Sequence, residues 1–161
     1  DNGKLYSGFD EDYVRAIGSL AGKADIILPN VTEAAILSDL PYQENIDRNY
    51  VNQLLNGLNH PCAVLTGVDF DEDSTGIVLQ EGTVQHEYRH KRIGTGCHGT
   101  GDIFAAVFTG ALMQGKNRLD AAKIAADFTC RCIKNTVNAP AHWYGVKFEP
   151  LLPELMEMLG R

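Results

Sequence analysis

The sequence predicts an α/β fold, a central and largely parallel sheet flanked by helices with an antiparallel hairpin late in the order. Three observations carry this. Short, continuously apolar runs end abruptly at Pro or Gly, as buried strands do. Segments with apolar residues at helical spacing alternate with those runs. Two further runs, Gly76–Gln80 and Thr83–His90, are separated only by Glu81-Gly82, a hairpin step.

Residues 10–22 form the first expected helix, with Tyr13, Ile17 and Leu20 at helical spacing and Gly22 near its stop. Asp25-Ile26-Ile27-Leu28 then reads as a buried strand ended by Pro29, and a helix should follow from Val31 to Ser38. The next helical stretch, Gln43–Leu58, places Ile46, Tyr50, Leu54 and Leu58 four apart. Pro61–Thr66 is a second buried strand, ended by Gly67, and the hairpin follows. Ile103–Gln114 is apolar nearly all round and should be buried, with Gly115 at its end. Asn117–Val137 opens like a capping box, Asn117 then Asp120, and expects an inner face of Ile124, Phe128 and Ile133. A last short helix covers residues 150–160, with Pro150 in its first turn.

With 161 residues, one compact domain over residues 1–161 is expected. The start, Asp1-Asn2-Gly3-Lys4, has no initiator Met and no preceding strand, so a portion of a longer protein is expected. The net charge of −7 disfavours a nucleic-acid partner, since phosphate contacts need clustered cations. No apolar run approaches the roughly 18 residues of a membrane span. Cys62, Cys97, Cys130 and Cys132 form no CxxC pair, so four reduced thiols of a cytoplasmic protein are expected.

The most informative stretch is Ile93-Gly94-Thr95-Gly96-Cys97-His98-Gly99-Thr100-Gly101-Asp102, four glycines within eight residues before an apolar helix. Unpaired N–H groups at a helix start attract anions, and glycine lets a phosphate approach the backbone closely. Gly94, Gly96 and Gly99 also satisfy GxGxxG, and Asp120 follows Gly99 by 21 residues. The dinucleotide fingerprint needs its acid at the end of a second strand, whereas Asp120 opens a helix, so that reading fails. A P-loop fails as well, because no Gly precedes Lys-Ser or Lys-Thr. Asp102, at or near the helix cap, is open to two uses: a capping aspartate, or a carboxylate that takes a proton from an alcohol beside a phosphate.

Other polar groups carry less. His86, His90, Cys97 and His98 lack metal-ligand spacing, and Arg89, Lys91 and Arg92 read as a solvated strand end. Trp143 and Tyr144 suit a core or a pocket rim.

Gly99-Thr100-Gly101-Asp102 resembles the second signature of the ribokinase-like superfamily. Within it, Asp1-Asn2-Gly3-Lys4-Leu5-Tyr6 and the strand-to-NxxE segment Ala24–Ala34 resemble the pyridoxal/pyridoxamine kinases. The resemblance covers essentially the whole chain, as the C-terminal, ATP-binding and catalytic portion of such a kinase, with its hairpin near the nucleotide site. It implies Mg-ATP-dependent phosphorylation of the 5′-hydroxyl of a B6 vitamer. Asp102 would be the base and the Gly99, Thr100 and Gly101 amides the anion hole. Asp1, Asn30, Thr66 and Gly67 would lie near ATP, with Glu33 and Asn30 organising Mg²⁺ through water. A homodimer is implied for the full-length protein, with ATP and a pyridoxal-like molecule as ligands and neither nucleic acid nor membrane as partner. Some relatives carry Thr or Ser at the positions of Leu28 and Gly67, so those phosphate contacts are expected to be missing here. The hydroxymethylpyrimidine-phosphate kinases, a related branch, carry Cys where Asp102 stands, so Asp102 favours the pyridoxal type. A kinase of another small alcohol such as hydroxymethylpyrimidine, or a non-catalytic nucleotide-binding module, are the alternatives. The ring-binding half is not in this chain, so weak or no catalysis is expected of the 161 residues alone.

Overall fold

The computed structural model describes residues 3–5, 7–94, 97–138 and 145–160. They belong to two units, residues 1–89 and 90–161. The first holds α1 (Glu11–Ala21), α2 (Val31–Leu37), α3 (Arg48–Leu58), β1 (Cys62–Asp69), β2 (Ser74–Glu81) and most of β3 (Val84–Lys91). The second holds α4 (Thr100–Met113), α5 (Arg118–Val137), a 3₁₀ turn at Glu149–Leu151 and α6 (Leu152–Leu159).

The named strands form one sheet in the order β1-β2-β3. Between β1 and β2 the pairing is antiparallel, from Cys62↔Glu81 to Thr66↔Ile77 and then, one residue out of step, Val68↔Gly76. The parallel character enters through the segment before α2, bridged at Ile27↔Ala63 and Asn30↔Thr66. Its ladder is short for a local reason. Pro29 has no N–H to give, and α2 begins two residues later. The run Ile26–Leu28 is half-buried rather than fully buried, because β1 is its one pairing neighbour among the described residues. His60 ties the two together, Nε2 lying 2.9 Å from the Ala24 carbonyl and Nδ1 beside the Cys62 backbone.

Gly67 does not end the strand as expected. It takes φ 66° and forms a bulge at the register shift, and β1 runs on to Asp69. At Gly76 the demand is different: a Cβ there would lie 2.0 Å from the Tyr88 carbonyl oxygen on β3. The helix expected over 43–58 starts instead at Arg48, because the Asp47 side chain caps it by accepting from Tyr50 N at 2.7 Å. Ala34 and Ala35 of α2 and Tyr50, Leu54 and Leu55 of α3 pack on Ala63 and Leu65 of β1 and Val78 of β2. By contrast α1 buries no residue, and Tyr13 and Leu20 stand 42% and 66% exposed.

In the second unit α4 and α5 pack together. The buried side of α4 is Phe104, Val107, Phe108 and Ala111, while Met113 is 80% exposed, so the helix is not buried all round. The inner face of α5 is built mainly of Ala121, Ala122, Ala125 and Ala126 with Phe128 and Cys132. Ile124 and Ile133 are only half-buried. Small side chains let two helix backbones approach closely, so alanines take the face expected of the larger residues.

Candidate active site

Two groups of expected site residues form, one in each unit. In the first unit the chain leaves its parallel bridge at Asn30 and turns at once into α2. Asn30 Oδ1 accepts from Glu33 N at 2.9 Å, and Glu33 Oε2 accepts from Asn30 N at 2.8 Å. This capping box satisfies two helix-start donors and fixes both side chains on one turn. Thr66 is the bridge partner of Asn30, its N–H donating to the Pro29 carbonyl at 2.9 Å and its hydroxyl at 3.4 Å. Gly67 follows it, exposed, with open space where a side chain would stand. Asn30, Glu33, Thr66 and Gly67 therefore share one end of the strand pair.

Sequence reasoning missed Thr32 and Tyr42 at this end. Thr32 is buried and accepts from Gly3 N at 3.2 Å. Gly3 has φ 76° and is so close to Tyr42 that a Cβ would lie 2.6 Å from the tyrosine Cβ. The bond joins residues 29 apart in the chain, so no local pattern signalled it. Asp1, Asn2, Tyr6, Thr95, Gly96, Trp143 and Tyr144 lie outside the described residues.

The donor set at Asn30 and Glu33 suits Mg²⁺. It offers one carboxylate and one amide oxygen, hard ligands that would leave most coordination positions to water and substrate phosphates. Among the described residues no group of three or more His, Cys, Asp or Glu side chains forms a protein cage for a metal.

In the second unit, Gly99 is the N-cap of α4, with φ 85° and no side-chain cap. Asp102 is consequently the third residue of the helix and not its cap, which corrects the simpler of its two sequence readings. The first-turn amides have no intrahelical acceptors. Gly99 and Gly101 both face open space where a Cβ would be, so a ligand can reach the backbone there. Asp102 is exposed. A cavity of about 330 Å³ lies against it, lined by His98, Gly99, Ile103, Val146 and Phe148 among others. The expected anion-hole residues Gly99, Thr100 and Gly101 are thus on the same turn as the expected base.

Elsewhere in this unit Cys130 Sγ lies 3.0 Å from His90 Nδ1, a pairing the strand and helix patterns did not suggest. Burial pushes the Cys130 thiol up to about 12, with Asp127 adding to the shift, so the pair is no reactive thiolate.

Residues 6–146 match the family described as phosphomethylpyrimidine kinase. The chain belongs to that family. It is a family of small-molecule kinases within the ribokinase-like superfamily. The hydroxymethylpyrimidine/phosphomethylpyrimidine kinase of Bacillus subtilis is 28% identical over 130 residues, 80% of this chain and 48% of the relative. Pyridoxal kinase from Lactobacillus plantarum superposes with a TM-score of 0.84 at 32% identity, over 98% of this chain and 58% of that structure. A Bacteroides thetaiotaomicron protein, solved as a candidate phosphomethylpyrimidine kinase, superposes with a TM-score of 0.86 at 29% identity, over 98% and 56%. A second crystal form of the latter contains pyridoxal. The chain spans about half the length of these relatives.

Proposed function

We propose that this chain is the catalytic portion of an ATP-dependent kinase that phosphorylates the 5′-hydroxymethyl group of pyridoxal, pyridoxamine or pyridoxine. The observation that carries the reading is the first turn of α4. An exposed carboxylate, Asp102, follows a glycine-capped start whose amides have no helical acceptor and whose backbone is open to approach.

Such a turn can perform both halves of the transfer. As the substrate oxygen bonds to the γ-phosphorus and the bond to the departing ADP oxygen breaks, the hydroxyl proton passes to the Asp102 carboxylate. Meanwhile negative charge on the transferring group is met by the amides of Gly99, Thr100 and Gly101. Phosphoryl transfer depends mainly on positioning and charge neutralisation, which a rigid helix start supplies. In the first unit, Asn30 and Glu33 would hold Mg²⁺ through water, with Thr66 and Gly67 beside them. When bound, the ion neutralises phosphate charge.

A second reading, a hydroxymethylpyrimidine or phosphomethylpyrimidine kinase, is favoured by the family match and the Bacillus relative. The pyridoxal held by the Bacteroides protein and the aspartate at position 102 support the first. The test is ATP-dependent phosphorylation of pyridoxal and hydroxymethylpyrimidine by the full-length protein, wild type beside Asp102→Asn. Pyridoxal turnover that falls by about 10²-fold or more in the variant is expected. Turnover unaffected by the change returns Asp102 to a structural role, and preference for the pyrimidine selects the second reading.

A further inference from the structure

The start of α4 is held from a distance by the far end of α5. Near that end, Thr136 is buried; its hydroxyl donates to the Cys132 carbonyl at 2.7 Å and accepts from Lys147 N at 2.8 Å. The neighbouring Asn135 donates through Nδ2 to the Lys147 carbonyl at 2.9 Å. Two consecutive side chains therefore grip both backbone groups of one residue. The adjacent residue, Val146, is 7% exposed, and its N–H donates to the His98 carbonyl at 3.0 Å.

That last bond matters because of peptide planarity. The His98 carbonyl and the Gly99 N–H belong to one rigid peptide unit, so fixing the direction of the first fixes the second. Gly99 is the cap of α4 and sits in the left-handed region, where glycine has wide freedom. Nothing in its own side chain could aim that amide. The strap Val146-Lys147 aims it instead, and Val146 of that strap also lines the cavity beside Asp102.

We propose that Thr136 and Asn135 are positioning residues that act through the Val146-Lys147 strap to orient the Gly99 amide toward a bound phosphoryl group. The proposal rests on the kinase reading for its catalytic consequence, but the orientation itself can be measured without turnover.

The experiment uses the full-length protein with Thr136→Val, which keeps the shape and removes the hydroxyl, and Thr136→Ser, which keeps the hydroxyl. Asn135→Ala is a second route to the same strap should Thr136→Val fold poorly. In Thr136→Val the kcat for the phosphorylated alcohol should fall about 10- to 100-fold, because a misdirected donor is lost mainly in the transition state. The KM for ATP should change by no more than about twofold. Thr136→Ser should restore kcat. In the nuclear magnetic resonance spectrum the Gly99 amide signal should move in Thr136→Val and return in Thr136→Ser, and exchange of the Val146 amide should quicken in the former only.

Wild-type kcat in Thr136→Val, alongside an inactive Asp102→Asn, would overturn the positioning role and leave the kinase reading intact. If even the wild type phosphorylates neither alcohol, the kinase reading fails, and the amide signals decide alone. An unmoved Gly99 signal with unchanged Val146 exchange then overturns the proposal, and the paired shift and rescue supports it.

Discussion

Asn30 and Glu33 satisfy one another: each side chain accepts from the other's backbone N–H, at 2.9 and 2.8 Å, across the first turn of α2. One pair of residues thus has a structural use already filled and a metal-organising use proposed. The two can be separated because capping needs an oxygen acceptor at position 33, whereas metal binding draws on its negative charge. Glu33→Gln keeps an acceptor and should cost about 0.5 kcal/mol or less of stability. In the full-length protein it should raise the Mg²⁺ concentration needed for half-maximal turnover. Asn30→Ala should cost about 1 kcal/mol, the usual loss of an N-cap. Urea unfolding alongside a Mg²⁺ titration checks both, and an unchanged Mg²⁺ requirement in Glu33→Gln would confine the pair to capping.

The two strand glycines should both resist a methyl group, for different reasons and to different degrees. Gly67 has φ 66° but open space at its Cβ position, so Gly67→Ala meets only backbone strain, about 1 to 2 kcal/mol. Gly67→Asn should cost less than Gly67→Ala, since Asn tolerates that region better. At Gly76 the added carbon would lie 2.0 Å from the Tyr88 carbonyl oxygen, and β2 and β3 would have to part. Gly76→Ala should cost about 3 kcal/mol or more. Denaturation midpoints of the three variants give the order directly.

These glycines also mark where the sequence was readable. The glycine cluster before α4 and the NxxE segment stood out because each combines turn chemistry with the start of an apolar helix; Gly99 caps α4, and Asn30 and Glu33 open α2. Apolar runs located β1 and the segment Ile26–Leu28 because Pro29 and Gly67 punctuate them. Yet a positive-φ glycine can end a strand or bulge it, and only the pairing of Val68 with Gly76 decides between those outcomes. The start of α3 was misplaced because the periodic residue Ile46 outweighed the capping signal of Asp47. On α5, volume rather than hydrophobicity chose the buried face, and that depends on how near α4 comes. Thr136 and Asn135 gave no signal at all: their partner, Lys147, is more than ten residues away.

The α5 thiols set a pH expectation. Burial, ahead of the carboxylates nearby, raises Cys130 from the ordinary 9.0 to about 12 and Cys132 to about 11. Their protonated forms are favoured in the fold, so the folded protein binds more protons than the unfolded chain above pH 9. Stability from these groups is fully present below about pH 9 and is lost as pH rises from there toward 11 to 12. Replacing Cys130 by Ala should flatten that alkaline decline, even if it lowers stability at neutral pH. Iodoacetamide at pH 8 should label the half-buried Cys97 before Cys130, which is also half-buried but has its thiol pushed up by burial, and before the buried Cys132 and Cys62. Mass spectrometry of a labelling time course reads the order, and early modification of Cys130 would contradict the burial argument.

The apolar side of α1 makes the last prediction. Phe9 and Tyr13 stack at 4.0 Å between ring centroids and, with Ile17 and Leu20, are at least 36% exposed. Beside them lies an apolar cavity of about 400 Å³, walled by Val14, Leu28, Ile36 and Leu37 among others. A contiguous apolar surface of this kind is uncommon on a free monomer and draws hydrophobic ligands or other chains. The 161-residue chain should therefore bind anilinonaphthalene sulfonate while keeping native helix content, and its sedimentation should depend on concentration. Ile17→Glu combined with Leu20→Glu should cut the dye signal by about half or more and weaken self-association. Neither position is buried, so the far-ultraviolet spectrum should be unchanged. Absence of dye binding in the wild-type chain would mean that this face is covered in solution.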